Sequence, residues 1–138
     1  MHNFKELKVW KAGIEISKII FQLCKTLPSE EKYGLISQMI RSAISIPSNI
    51  AEGCGRRSNK ELHHFLSIAL GSSFELETQL IIAKEFDYIS QEKLDKTCSL
   101  ITEIQKMLNA FKKVSMPKVL IPDTKYLILN HENYRTHS

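Results

Sequence analysis

The sequence predicts an all-α fold: an antiparallel up-down four-helix bundle with a proline-kinked second helix and a non-helical C-terminal tail. Three observations lead there. Apolar residues recur at alternating spacings of three and four in four successive segments, as they do along one face of a helix. Glycine and proline, five and four in 138 residues, fall at a few points. No segment up to Lys113 alternates apolar and polar residues like a half-buried strand. The length suits one domain, placed at residues 1–115, with a C-terminal extension at 116–138 that reads as an extended arm or a disordered end.

The first stripe runs Leu7, Trp10, Ile14, Ser17, Phe21, Cys24, and "TLPSEEKYG" breaks it. Leu35, Met39, Ala43, Ile46, Ile50 and Cys54 form the second, closed by Gly53 and Gly55, residues suited to the left-handed turn that ends a helix. Ser58 with Glu61 fits a capping box, so a third helix starts there, with Leu62, Phe65, Ala69, Ser72, Leu76, Gln79 and Ala83 on its face. Ser90 is an N-cap for the fourth, striped by Leu94, Cys98, Ile101, Gln105, Leu108 and Phe111. Short loops between such helices imply antiparallel neighbours. Val9, Ile16, Ile19 and Leu23 form a second apolar row on the first helix, and Phe74 and Ile81 lie off the main stripe of the third. These rows either widen the core face or pack against other copies of the chain.

At 43% hydrophobic and 25% charged residues, the composition reads as soluble and globular, with no run approaching the roughly 20 apolar residues of a membrane span. "MHNFKELKVWKAG" lacks the layout of a signal peptide, so a cytoplasmic location is expected and no membrane partner. Cys24, Cys54 and Cys98 are odd in number and widely spaced, which speaks against a disulfide framework and a zinc site. The net charge of +4 is unevenly spread: residues 1–60 carry ten Lys/Arg against five Asp/Glu, whereas residues 61–115 carry six against eight. A basic first half is a weak pointer to nucleic acid.

"RSAISIPSNIAEGCGRRS", Arg41 to Ser58, sets Pro47 inside a helical pattern, where proline costs about 3 kcal/mol. Packing of Ile46 and Ile50 holds both halves, so a kink is expected and not a break. As an active site the stretch is unconvincing. It lacks the Gly-x-Ser-x-Gly spacing of a hydrolase elbow around Ser48, and Cys54 continues an apolar stripe, where a cysteine is ordinarily a small core residue. His63 and His64 are adjacent and diverge around a helix, unlike a metal-gripping i, i+4 pair. Glu52 or Asn49, if buried, needs a partner, for which Arg41 and Arg56 are the natural cations. No catalytic residue, metal ligand or cofactor is assigned.

"FKELKVWKAG", "SIPSNIAEGCGRRS" and "FLSIALGSSFELETQLIIAKEFDYI" together resemble the successive motifs of the four-helix bundle proteins encoded in intervening sequences of bacterial 23S ribosomal RNA genes. The resemblance covers about residues 4 to 113. It implies a ring-like homopentamer, and a likeness to the accessory variability protein of diversity-generating retroelements, which binds nucleic acid and a reverse transcriptase. The family pattern falls on Trp10, Pro47, Asn49, Glu52, Gly71, Glu75, Glu77 and Gln79, among others. Position 54, commonly aromatic in the family, is Cys54 here, and position 70, often basic, is Leu70. The expected function is therefore a non-enzymatic homo-oligomeric scaffold that binds RNA or DNA backbone through Arg41, Arg56, Arg57, Lys60, Lys8 and Lys11. Trp10, Pro47, Asn49 and Glu52 serve structure or subunit contacts. The alternative is a protein-interaction adaptor that binds no nucleic acid.

Overall fold

A computed structural model describes residues 3–116, so the expected tail beyond Met116 lies outside the described residues. Four helices build it: α1 (Lys8–Cys24), α2 (Leu35–Cys54), α3 (Asn59–Glu85) and α4 (Gln91–Ser115), with single 3-10 turns at Phe4–Glu6 and Ser29–Glu31. No strand occurs among the described residues. Each helix packs on its chain neighbours and α1 closes onto α4, while α1 and α3, like α2 and α4, do not approach. Contacts run in opposite chain directions along α1 and α2, where Gly13 meets Pro47 and Ser17 meets Ala43. The same holds along α2 and α3, where Ser45 meets Ser72 and Gly53 meets Leu62.

Local chemistry marks the helix ends. The Ser58 hydroxyl accepts the Glu61 N–H at 3.1 Å, and Ser90 accepts that of Lys93 at 3.1 Å, the N-caps expected of those serines. The Glu61 carboxylate turns to the Ser58 hydroxyl at 3.2 Å. At the end of α3, Asp87 takes a φ of 59°, Tyr88 N–H reaches Ala83 O and Asp87 N–H reaches Lys84 O, the paired bonds of a Schellman motif. The left-handed turn expected at Gly53 or Gly55 is absent, since neither has positive φ. Gly53 is small for another reason: a Cβ there would lie 3.0 Å from Phe65 Cβ and 3.1 Å from Leu62 Cδ1 of α3.

The core is built from Ile16 and Ile20 of α1, Met39, Ala43, Ile46 and Ile50 of α2, Leu66, Ala69, Leu76 and Leu80 of α3, and Ile101, Ile104 and Leu108 of α4. The stripes expected on α2 and α4 face it. On α1 the reading is rotated: Val9, Ile16 and Leu23, taken as the second row, are core, whereas Ile14 and Phe21 of the main stripe are exposed. Both rows have helical spacing, and only the position of the neighbouring helices separates them. By length and mean hydropathy α3 is apolar enough to cross a membrane, and here it packs against both α2 and α4.

Helix α2 runs unbroken through Pro47, and α1 supplies what the proline removes. Pro47 has no N–H for the carbonyl four residues earlier, Ala43 O. The Ser17 hydroxyl lies 3.3 Å from that oxygen and 2.8 Å from Gly13 O, sharing its proton between them. Gly13 gives the ring room: a Cβ there would sit 3.1 Å from Pro47 Cβ and 3.2 Å from its Cδ. A Ser17→Ala substitution should cost about 1 kcal/mol in urea denaturation, the order of one hydrogen bond to a buried carbonyl. In a Pro47→Ala background, where residue 47 again donates to Ala43 O, the same change should cost clearly less; equal costs in both backgrounds would refute the compensation.

Candidate nucleic-acid interface

The segment from Ser45 to Arg57 divides its side chains among three directions because α2 is flanked by α1 and α3. Pro47 faces α1. Toward α3, the Ser45 hydroxyl accepts from Ser72 Oγ at 2.8 Å and from Asn49 Nδ2 at 2.8 Å, while the same amide also donates to Ser45 O at 2.8 Å. Ser45 thus ties α2 to α3, and Asn49 braces Ser45 from within α2. Outward, Ser48, Ala51, Glu52, Gly55 and Arg56 line a shallow depression of about 400 Å³. Glu52 is exposed and ion-paired with Arg56, whose guanidinium carbon lies 4.8 Å from the Phe65 ring centroid. Arg56 is therefore committed to two partners on its own chain. Arg57, Lys60, Lys8 and Lys11 are exposed and form no ion pair among the described residues.

Helix directions then decide which cations share a surface. Since Gly13 lies beside Pro47, the start of α1 is level with the end of α2, so Lys8 and Lys11 join Arg56, Arg57 and Lys60 at one end of the bundle. Arg41 does not join them: it sits about 20 Å along α2 from Gly55, at 1.5 Å per residue. Trp10, half-buried, packs edge-on against Phe4 with centroids 5.4 Å apart at that same end. The last turns of α4 arrive there too, where His63, Asn109, Lys112 and Lys113 line one notch. These α4 lysines escape sequence reading because they belong to the acidic half of the chain.

The gathering is measurable in charge. Residues 3–16, 45–72 and 105–116 make up this end and carry nine Lys/Arg against four Asp/Glu, a net +5. Residues 17–44 and 73–104 make up the opposite end, with seven against nine, a net −2. A separation of this kind gives the bundle a positive pole that attracts anions at long range.

The cysteines are the remaining chemical candidates. Cys54 is 2% exposed, and burial pushes its thiol pKa up, opposite to what a nucleophile requires. Burial likewise raises Cys24 and Cys98, and all three are free thiols. No group of three or more His, Cys, Asp or Glu side chains able to hold a metal occurs among the described residues.

Two outcomes check these assignments. Arg56→Ala should lower stability by about 0.5–1 kcal/mol through loss of its contact with Phe65, and Arg57→Ala should stay within about 0.5 kcal/mol of the parent, both by urea denaturation. Iodoacetamide at pH 8 should leave Cys54 unlabelled in the folded protein and label it once urea unfolds the chain, as read by peptide mass; labelling at the rate of a free thiol without denaturant would contradict its burial.

The comparisons with known proteins agree with this architecture. The family model for the 23S rRNA-intervening sequence protein matches residues 5–110. No curated protein matches. A crystal structure from Bacteroides thetaiotaomicron, described as a protein with unknown function from the S23 ribosomal protein family, is 31% identical and superposes with a TM-score of 0.71. The match covers 76% of this chain and 95% of that one. With the family pattern carried across all four helices, the chain belongs to the 23S rRNA-intervening sequence protein family.

Proposed function

We propose that this protein is a non-enzymatic, homo-oligomeric helical scaffold whose basic end binds the sugar-phosphate backbone of RNA or DNA. The observation that carries the reading is the net +5 gathered at one end from three separate stretches of chain. Binding of this kind rests on phosphate neutralisation and counterion release, so it is largely independent of base sequence and weakens steeply with salt. Arg57, Lys60, Lys8 and Lys11 are the primary contacts. Arg56, held by Glu52 and Phe65, shapes the surface.

Two exposed apolar faces support the homo-oligomer. Ile14 and Phe21 lie one turn on either side of Ser17, the residue of α1 that reaches α2. Phe74 and Ile81 lie one turn on either side of Glu77, whose carboxylate accepts from Gln105 of α4 at 3.1 Å. All four are between 38% and 50% exposed. The α1–α2 and α3–α4 surfaces are on opposite sides of the bundle, so pairing one with the other in a second copy makes a head-to-tail contact, which closes into a ring when the rotation permits. Gly71 adds to this: in a helix interior it costs about 0.5–1 kcal/mol relative to alanine, and among the described residues no neighbouring helix or side chain crowds its Cβ position. Close approach by another copy would give that glycine a purpose. The expected ring has five copies.

The adaptor reading draws on the same apolar faces, with a different protein as the partner. Titration of labelled RNA and DNA into the full chain at several salt concentrations, with mass followed by light scattering, separates the two. We expect an oligomer whose affinity falls with salt, and a slope of log affinity on log salt reduced by about 1.4–1.8 in an Arg57→Ala, Lys60→Ala variant. An oligomer that binds neither nucleic acid at 20–50 mM salt would overturn the reading. Phe74→Glu should break the oligomer while leaving the helical content intact by circular dichroism.

A further inference from the structure

The last turns of α4 and the first turns of α3 border an open notch of about 510 Å³, lined by His63, Asn109, Ala110, Lys112, Lys113 and Met116. Its chemistry is one-sided. Lysine, asparagine and histidine residues, all of them donors, line it, and no carboxylate does among the described residues. Neither lysine forms an ion pair and the side chains of His63 and Asn109 form no hydrogen bond, among the described residues. The α4 carbonyl end opposes an anion with roughly half a unit charge, against two full positive charges on the lysines. One of its terminal carbonyls is also occupied, since Lys112 O accepts from Ser115 Oγ at 3.0 Å. The balance favours an anion.

The geometry points to a phosphate-group site in this notch, held by Lys112, Lys113, Asn109 and His63. A tetrahedral oxyanion accepts several hydrogen bonds at once, which suits a notch whose donor residues come from two helices. Ala110 and Met116 add an apolar lip against which a sugar or base can lie. His63 is three residues after Lys60 on α3, so the notch extends the surface on which the proposed nucleic-acid binding rests. A free phosphate and a backbone phosphodiester share this chemistry, and the test distinguishes them.

The full chain is compared with Lys112→Gln, Lys113→Gln and with Lys93→Gln, Lys96→Gln, which removes the same charge from the far end of α4. Inorganic phosphate is titrated at constant pH and ionic strength while the His63 ring resonances are followed by NMR, with chloride as the reference. Binding of a fluorescein-labelled oligonucleotide is measured against salt. We expect a saturable His63 shift in the parent and the Lys93/Lys96 variant and none in the Lys112/Lys113 variant. The oligonucleotide salt slope should fall by about 1.4–1.8 only in the latter. Phosphate that moves His63 no more than chloride does, or equal slope changes in both variants, would overturn the site. If the parent binds no oligonucleotide, the proposed function falls and the phosphate titration alone decides the notch; a saturable shift there assigns it to free phosphate.

Discussion

Pro47 is the constraint on which the bundle turns. A proline within a helix leaves the carbonyl four residues earlier without its donor and presses its ring outward. Here both consequences fall on α1: Ser17 places its hydroxyl near Ala43 O, and Gly13 leaves space for the ring. The pair fixes the level at which α1 crosses α2. On the other flank, Ser45, braced by Asn49, meets Ser72 of α3, and Gly53 admits Leu62 and Phe65. Helix α2 is thereby held in register on both sides by contacts drawn from one short stretch. Such close, polar contacts specify one arrangement more sharply than apolar packing, which tolerates small shifts of one helix along another.

That register places the charges. With α1 and α3 both antiparallel to α2, the beginning of α1, the α2–α3 connection and the end of α4 share one pole. The +5 there against −2 at the other is a property of the folded bundle, since the stretches that supply it are far apart in the chain. A head-to-tail ring would repeat the pole once per copy, and repeated cations around a common axis act together on a polyanion. In such a ring the exposed apolar residues of α1 and α3 would supply the contacts between copies.

How far the sequence could be read varies from helix to helix. The α2 and α4 stripes were legible because each has one dominant apolar row. Helix α1 has two rows with the same periodicity, and choosing between Val9, Ile16, Leu23 and Leu7, Ile14, Phe21 requires knowing where α2 and α4 lie. Gly53 was visible as a glycine near a helix end, but the approach of Leu62 and Phe65 that demands it comes from the next helix. The basic cluster was read only in part: Arg57, Lys60, Lys8 and Lys11 were visible, Arg41 was grouped with them by chain proximity, and Lys112 and Lys113 were missed.

The sequence by itself determined the helices, the serine N-caps of α3 and α4, the family motifs and the demand made by Pro47, because these follow from spacings within a turn or two of chain. The tertiary structure alone decided which α1 row is core, that Ser17 and Gly13 answer the proline, and that Arg56 is held by Glu52 and Phe65 while the α4 lysines join the basic end. The reason is geometric. Periodicity identifies the face of a helix that can be buried, whereas the neighbour it meets and the charges it is level with depend on how the helices pack.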